Sequence, residues 1–324
     1  MPNPTYAIIG TGAVGGLYGA KLQQSGCEVH FLLNRDYEAV KSNGLRLESV
    51  WGDLHLTQVN AYDRPEAMPR CDVAIVALKS TQNHLLPQLL PPIVKPHGIV
   101  LLLQNGIGIE PLLQDLLPQC QIIGGICFLC SNKVGPGQIR HLDYGQITLG
   151  AYRRDPQTQN PQNPAQAYQA GGITAEIEAL TASFEAAGVP IQRSEDLMLI
   201  RWQKLVWNIP FNGLSVVLNA ATAELMAAAV TRELARCLME EVAQGAAAYD
   251  REIPSTFIEQ MLASTAKMEP YLTSMKLDYD HHRPLELEAM FQNPLALAQA
   301  KGLDLPCIRS LYQQLQFLAD RRQP

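Results

Sequence analysis

The sequence predicts an α/β N-terminal domain of the Rossmann type, which binds a dinucleotide, followed by an all-α C-terminal domain. Two observations lead to this prediction. A glycine-rich turn stands between an apolar strand and a helix near the start, and from about Asp196 the chain changes to long stretches of helical period. We expect the first domain to span residues 1–195 and the second to span residues 196–324. A cleft between two such domains is a natural substrate site.

Composition and charge restrict the classes of function. The chain has 324 residues and a formal net charge of −6, which argues against nucleic acid as its main partner, because phosphate neutralisation needs a basic surface. No apolar run reaches the roughly 18 residues of a transmembrane helix, and the first residues lack the basic region of a signal peptide. The only CxxC pair, Cys127 and Cys130, has no second pair with which to hold a metal. We therefore expect a cytoplasmic protein without a metal site that binds neither membranes nor nucleic acid.

The first strand–helix–strand unit contains a dinucleotide motif. The apolar runs Tyr6–Ile9 and Glu28–Leu33 predict buried parallel strands, with a helix over Leu17–Leu22 between them. In such a motif the first glycine allows a tight turn, the second lets pyrophosphate approach the backbone, and the third lets helix and strand pack closely. The N–H groups at the helix N-terminus then attract the phosphates. The motif is Gly-x-Gly-x-x-Gly, and its residues are Gly10, Thr11, Gly12, Ala13, Val14 and Gly15.

The residues after the second strand bear on which dinucleotide binds. An acidic side chain there accepts a hydrogen bond from the adenosine ribose of NAD, whereas an arginine pairs with the 2′-phosphate of NADP. The strand ends at Asn34, Arg35 and Asp36, so both chemistries are present. We interpret Asp36 as the N-cap of a helix over Tyr37–Lys41 and Arg35 as the phosphate ligand, because a guanidinium can grip phosphate through two hydrogen bonds. This interpretation favours NADP, in the form of NADPH, over NAD.

Two further strands place polar residues at the carboxyl edge of the predicted sheet. The runs Cys71–Leu78 and Ile99–Leu103 predict buried strands, which lead to Lys79 and Asn105 respectively. Ligands of open α/β sheets bind beyond the carboxyl ends of the strands, so both residues are candidates for the cofactor site. A solvated lysine and a turn asparagine are equally good explanations.

The rest of the first domain contains a predicted hairpin and a predicted loop. Residues 124–150 alternate apolar and polar side chains around Gly135-Pro136-Gly137, which indicates antiparallel strands. Residues 153–172 are rich in Gln, Asn and Pro and have no period. We interpret them as a loop inside the first domain, because a helix over Thr174–Ala187 is still expected to pack on the sheet.

The first helix of the second domain carries a polar stripe. Lys204, Asn208 and Asn212 recur at four-residue spacing and so share one helical face, next to large aromatic residues. Buried polar groups need partners, and this stripe supplies a proton donor and hydrogen-bond donors for a carbonyl that is being reduced. Ser274 and Glu286 are further candidates, with an ordinary surface position as the alternative. The predicted helical stretches are Asp196–Val217, Thr222–Asp250, Thr256–Ala266 and Leu285–Lys301.

Taken together, these motifs resemble the ketopantoate reductase (2-dehydropantoate 2-reductase) family over essentially the whole chain. The resemblance implies NADPH-dependent reduction of ketopantoate, a 2-oxoacid, to (R)-pantoate, on the way to pantothenate and coenzyme A. The helix with the polar stripe is more specific than the glycine motif, which many dehydrogenases share. The matching motifs are the glycine turn, Leu78-Lys79, Gln104–Gly108, the Trp202–Asn212 helix and the pair Ser274 and Glu286.

The resemblance implies a role for each candidate. Lys204 matches the general acid that gives a proton as hydride reaches the ketone carbon, and Glu286 matches a carboxylate that binds substrate and helps orient this lysine. A positioned lysine suits this chemistry, since alkoxide charge develops on the carbonyl oxygen. The other matches are to substrate-binding residues, Asn208, Asn212 and Ser274, and to residues at the nicotinamide end of the cleft, Lys79 and Asn105.

Some positions depart from the family pattern. Asn34 stands where the family has its 2′-phosphate arginine, so Arg35 has to act from the next position. Thr222 and Tyr271 replace amides that are common around the substrate, and Glu288 stands where an aspartate is usual. These changes bear on substrate identity more than on reaction type. A related reductase of another 2-oxoacid and a non-catalytic dinucleotide sensor are the alternatives, and the sequence leaves open whether the protein is a homodimer.

Overall fold

A computed structural model describes residues 4–154, 168–268 and 272–321 of the chain. These residues form two compact units. The first contains residues 4–104, 110–154 and 168–197, and the second contains residues 105–109, 198–268 and 272–321. Within these described segments, no helix combines the length and the apolar character needed to cross a bilayer.

The first unit is built on a mixed sheet with eleven strands among the described residues. Along the sheet the order is β4-β3-β9-β8-β7-β6-β1-β2-β5, and β10 and β11 both pair with β9. The central strands run parallel to one another, and their apolar sequences fit the burial of both faces of a parallel sheet. The strands are β1 (Tyr6–Ile9), β2 (Val29–Leu32), β3 (Leu45–Ser49), β4 (Leu54–Leu56), β5 (Asn60–Tyr62), β6 (Cys71–Val76), β7 (Val94–Leu102), β8 (Gln121–Gly135), β9 (Gln138–Arg154), β10 (Tyr168–Ala170) and β11 (Ile191–Ser194).

Helices and turns connect these strands. The second half of the glycine turn is already helical, so α1 begins at Ala13 rather than at the predicted Leu17. Short 3-10 turns cover Pro65–Ala67 and Ser80–Leu85. The helices of this unit are α1 (Ala13–Gln24), α2 (Tyr37–Asn43), α3 (Leu86–Ile93), α4 (Glu110–Leu116) and α5 (Ala175–Ala186).

The long strands β8 and β9 form the antiparallel hairpin that the alternating pattern predicted around Gly135-Pro136-Gly137. The hairpin also packs on α1, where Gly16 leaves no space for a Cβ atom against Ile139. The predicted loop over residues 153–172 is only partly described. Arg153 and Arg154 belong to β9, residues 168–170 form β10, and residues 155–167 lie outside the described residues.

The second unit is helical among its described residues. Its elements are α6 (Leu197–Val217), α7 (Thr222–Ala227), α8 (Ala229–Ala247), α9 (Ser255–Lys267), α10 (Ser274–Asp280), a π-helical turn over Glu288–Gln292, α11 (Asn293–Ala300) and α12 (Pro306–Asp320). A Rossmann-type mixed sheet with helices, followed by a helical part, is the fold class that the sequence predicted.

Two predicted helices of this unit are wrong in extent. The stretch predicted as one helix over Thr222–Asp250 breaks at Ala228, whose backbone is extended with φ −86° and ψ 127°. The Thr231 hydroxyl donates to the Leu225 carbonyl at 2.5 Å and so satisfies a backbone group freed by the break. The stretch predicted over Leu285–Lys301 begins with irregular backbone and the π-helical turn before α11 starts.

Candidate active site

The strand β1 delivers the glycine turn to the carboxyl edge of the sheet. Gly10 has φ +98°, and a Cβ there would lie 2.5 Å from the amide nitrogen of Leu78, so only glycine fits at this position. Gly15 packs too closely on the carbonyl oxygen of Gly10 to accept a Cβ. Gly12 differs from both, because a Cβ there would meet no described atom within 4 Å. The turn is therefore crowded on its inner side and open at Gly12.

The N-terminus of α1 fits an anionic group. The first hydrogen bond inside the helix runs from the Gly16 N–H to the Gly12 carbonyl at 2.9 Å, so the N–H groups of residues 13–15 have no acceptor within the helix. The first turn has no acidic side chain to oppose the positive end of the helix dipole. The Thr11 hydroxyl ties the turn to the end of β2 by donating to the Leu32 carbonyl at 3.2 Å. This donor set and the open side of Gly12 suit the pyrophosphate of a dinucleotide.

At the end of β2, the structure corrects the expected role of Asp36. This residue stands at the N-cap position of α2, but among the described residues its side chain makes no capping hydrogen bond. Its backbone has helical angles instead of the extended conformation that usually aims a cap at the helix. The carboxylate is buried, lies 2.5 Å from the Nζ of Lys133, and accepts from the Gly137 N–H at 3.0 Å. Asn34 and Arg35 are exposed.

The end of β6 leads to the exposed Lys79. Gln104, to which the sequence gave no role, holds this segment in place. Gln104, at the end of β7, is buried and donates through Nε2 to the Leu78 carbonyl and to Oδ1 of Asn83, both at 2.8 Å. Gln104 therefore fixes the backbone next to Lys79. A glutamine that ends an otherwise apolar strand was the sequence signal for this role.

In the second unit, α6 carries the polar stripe on a helix that runs through Pro210 without interruption. Asn208 and Asn212 are each only 3% exposed. Lys204 is half-buried, and its Nζ lies 5.7 Å from the ring centroid of Trp207, within the range of a cation–π contact. A cationic group and two buried amides thus share one face of this helix.

Asn105 belongs to the same unit, because the loop 105–109 packs on the helices. The Nδ2 of Asn208 donates to the Oδ1 of Asn105 at 3.3 Å. Gly106 has φ +96°, and a Cβ there would lie 2.5 Å from the Ala289 carbonyl oxygen, which also accepts from the Ile107 N–H at 3.0 Å. The loop therefore packs on the π-helical turn. Turns of this kind are often found at functional sites.

Asn293 also holds this loop, and sequence reasoning gave it no role. Its Nδ2 donates to the Ile107 carbonyl at 2.8 Å. Glu286, which is 4% exposed, comes just before the π-helical turn, and Glu288 is the exposed first residue of that turn. One irregular segment thus contains a buried carboxylate and supports the loop that carries Asn105.

Asn212 brings α6 next to Ser274. Its Oδ1 accepts from the Met275 N–H at 3.2 Å, at the first turn of α10, which begins with the half-buried Ser274. The hydroxyls of Ser215 and Thr273 lie 2.8 Å apart and join the same two helices. The structure therefore brings together Lys204, Asn208, Asn212 and their neighbours Asn105 and Ser274.

The remaining predicted positions are placed as follows. Thr222 is the buried first residue of α7, and Tyr271 lies outside the described residues. Within the part of the chain that the structure describes, no group of three or more His, Cys, Asp or Glu side chains is placed to hold a metal ion.

Comparison with known proteins agrees with these features. Residues 6–154 match the family model "Ketopantoate reductase PanE/ApbA", and residues 196–319 match "Ketopantoate reductase PanE/ApbA C terminal". This chain belongs to the ketopantoate reductase family. A relative in this family, the 2-dehydropantoate 2-reductase of Nostoc sp., is 58% identical over 321 residues, which cover 99% of this chain and 97% of that protein.

Solved structures of ketopantoate reductases share the fold. The crystal structure of 2-dehydropantoate 2-reductase from Geobacter metallireducens has a TM-score of 0.88 at 39% identity, covering 98% of this chain and all of that one. A dimeric ketopantoate reductase from Staphylococcus aureus has a TM-score of 0.80 at 20% identity, with 98% of this chain and 100% of that chain covered. At that identity the second comparison shows a shared fold.

Proposed function

We propose that this protein is an NADPH-dependent oxidoreductase that reduces 2-dehydropantoate (ketopantoate) to (R)-pantoate, a step towards pantothenate and coenzyme A. The observation that carries the proposal is the 58% identity to a 2-dehydropantoate 2-reductase over 99% of the chain. The polar groups gathered around α6 give it a chemical basis, because they are the groups that a carbonyl reduction requires.

The glycine turn and the end of β2 are the proposed cofactor site. The N–H groups at the start of α1 would bind the pyrophosphate, and the exposed Arg35, next to Asn34, would bind the 2′-phosphate. Lys79 and Asn105 are proposed to serve the nicotinamide half of the cofactor. When bound there, NADPH supplies the hydride.

Lys204 is the proposed proton donor. As the ketone carbon gains a hydride, negative charge develops on the carbonyl oxygen, and a lysine ammonium both stabilises that charge and transfers a proton to the oxygen. A carboxylate near a lysine favours its charged form, which is the role proposed for Glu286. The proton moves from Nζ to the oxygen that becomes the product's hydroxyl, and solvent returns a proton to Nζ before the next turnover.

Asn208, Asn212 and Ser274 are the proposed substrate ligands. The Oδ1 of Asn212 already accepts from the backbone of α10, so the group it can offer to a substrate is its Nδ2 donor. The Nδ2 of Asn208 donates to Asn105, which links these two side chains and fixes their relative positions. Donors are suitable here, because the substrate has acceptor oxygens in its carboxylate and ketone groups.

The first experiment mixes purified protein with ketopantoate and follows the oxidation of NADPH, then of NADH, by absorbance. We expect rapid loss of NADPH, slower loss of NADH, and no loss without ketopantoate. The same assay with Lys204→Gln separates reduction by this site from a contaminating activity. Absence of turnover with either cofactor, in protein that binds NADPH, would contradict the proposed function.

We further propose that the enzyme acts in the cytoplasm as a homodimer, with a boundary between its cofactor and substrate domains near residue 196. The dimer is supported by the dimeric relative of the same fold from Staphylococcus aureus. The boundary is supported by the second family model, whose match begins at residue 196. Light scattering on the purified protein tests the dimer, and a monomeric mass at micromolar concentration would contradict it.

A further inference from the structure

An acidic residue stands where a Rossmann-type domain distinguishes between its two cofactors. At the end of the second strand, a carboxylate that is open to the site accepts a hydrogen bond from a ribose hydroxyl and repels a 2′-phosphate. Asp36 occupies this region, directly after Arg35. Two adjacent residues of opposite charge therefore have opposite effects on the binding of NADPH.

The structure shows that the carboxylate of Asp36 is occupied. It is 7% exposed, and the Nζ of Lys133 lies 2.5 Å from its Oδ2. The same oxygen accepts from the Gly137 N–H at 3.0 Å. The side chain of Lys133 remains 38% exposed, so its ammonium lies at the surface beside the end of β2. A paired and buried carboxylate presents little negative charge to a ligand.

Lys133 reaches this position because the β8–β9 hairpin lies against α1. Lys133 pairs with Ile139, so their side chains share a face, and Ile139 packs on Gly16 of α1. Ser131 has the same orientation two residues earlier, and its hydroxyl donates to the Ala13 carbonyl at 3.4 Å. This face of the hairpin therefore lies along the helix that begins at the glycine turn.

The pairing of β8 with β9 is irregular on both sides of the segment that carries Lys133. The register shifts between Cys130 and Ser131 and again between Lys133 and Gly135. Such bulges bend a strand and change the direction of a side chain, and they are common next to active sites. Between these shifts, a lysine of β8 reaches the residues after β2, which is not its neighbour in the sheet.

We propose that the Lys133–Asp36 ion pair determines the preference for the phosphorylated cofactor. Lys133 neutralises the carboxylate and holds it away from the ribose site, so that Arg35 meets the 2′-phosphate without a competing negative charge. Lys133 is thus a positioning residue for cofactor specificity, and its effect is expected on the adenosine half of the cofactor alone. This inference rests on the proposed function, because that function supplies the identity of the cofactor.

The test measures binding to the full chain by calorimetry, with NADPH and NADH and with the fragments 2′,5′-ADP and 5′-AMP. We expect Lys133→Met to weaken the binding of NADPH and of 2′,5′-ADP about tenfold, while NADH and 5′-AMP bind as before or more tightly. The double variant Asp36→Asn/Lys133→Met removes the uncompensated carboxylate and is expected to recover most of the lost affinity. Asp36→Asn alone is expected to keep or increase affinity for 2′,5′-ADP.

A matched control is available in the same unit. Lys95 pairs with Asp72 at 2.8 Å, and Asp72 lies near the start of β6, at the amino edge of the sheet. Lys95→Met removes an ion pair of a similarly exposed lysine, 42% against 38%, away from the proposed cofactor site. This variant is expected to leave the affinity for all four nucleotides unchanged.

Three outcomes would overturn the inference. The first is an unchanged preference for 2′,5′-ADP over 5′-AMP in Lys133→Met. The second is an equal loss of affinity for all four nucleotides in that variant, which would indicate a purely structural role. The third is a double variant that binds 2′,5′-ADP no better than Lys133→Met, which excludes neutralisation as the cause. Selective binding of NADPH without turnover of ketopantoate would contradict the proposed function while leaving this inference intact.

Discussion

Replacing Gly12 by alanine should separate cofactor binding from folding. The new Cβ meets no described atom within 4 Å, and the backbone φ of −95° is open to alanine. We therefore expect the free energy of unfolding to change by less than about 1 kcal/mol, and the Tm by less than about 4 °C. The methyl group fills the space through which a pyrophosphate approaches the backbone, so the affinity for NADPH should fall by about tenfold or more, equivalent to about 1.4 kcal/mol.

Replacing Gly10 by alanine should instead destabilise the fold. Its φ of +98° costs a non-glycine residue about 1–2 kcal/mol, and the Cβ would lie 2.5 Å from the backbone nitrogen of Leu78. Together these effects should destabilise the protein by about 3 kcal/mol or more, which lowers the Tm by about 6–12 °C. Gly26→Ala is the control for the conformational cost alone, since Gly26 has φ +95° and no described atom within 4 Å of a Cβ.

Both quantities are measured on the same preparations, the Tm by circular dichroism and the Kd for NADPH by fluorescence titration. Gly12→Ala should keep its Tm and lose affinity, whereas Gly26→Ala should lose some stability and keep its affinity. Wild-type affinity in Gly12→Ala would refute the placement of the pyrophosphate. A fall in the Tm of Gly12→Ala as large as that of Gly10→Ala would refute the inference that there is space for a Cβ atom at Gly12.

Three further predictions concern chemistry and pH. Lys204→Gln should lower kcat by about 10²–10⁴-fold, as measured by NADPH oxidation, while the Kd for NADPH changes less than about twofold. Asn208→Ala removes the hydrogen bond to Asn105 and should raise the KM for ketopantoate about tenfold in the same assay. Burial lowers the pKa of His141 below its usual 6.5, so the unfolded chain takes up a proton more readily and stability is lost as the pH falls below about 6.5. His141→Asn should flatten this part of a plot of Tm against pH, and an unchanged slope would contradict that assignment.

The central strands were predictable because local sequence and burial agree there. The strand β1 has the bounds predicted from its apolar run, and β2 and β6 lie within theirs. The strands β3, β4 and β5 were not predicted, because they are short and their polar residues give no clear apolar run. Ala228, a good helix former, ends α7 without any local signal.

The candidate site was predictable where a helix imposes spacing. The four-residue interval of Lys204, Asn208 and Asn212 places them on one face of α6 from sequence alone. The contact of Asn208 with Asn105 joins residues 103 positions apart, and local patterns do not encode such a pair. The same holds for Asp36, whose partner Gly137 is 101 positions away. Local reasoning therefore gave this carboxylate a nearby role as a helix cap, which the structure does not support.

The most direct test of ketopantoate reduction compares kcat/KM for ketopantoate with the values for a panel of other 2-oxoacids. Each substrate is assayed with NADPH and with NADH, and the product is identified by chiral chromatography. We predict that ketopantoate with NADPH gives the highest kcat/KM and that the product is (R)-pantoate. A higher kcat/KM for another 2-oxoacid, or no pantoate from protein that binds NADPH, would contradict the proposed function.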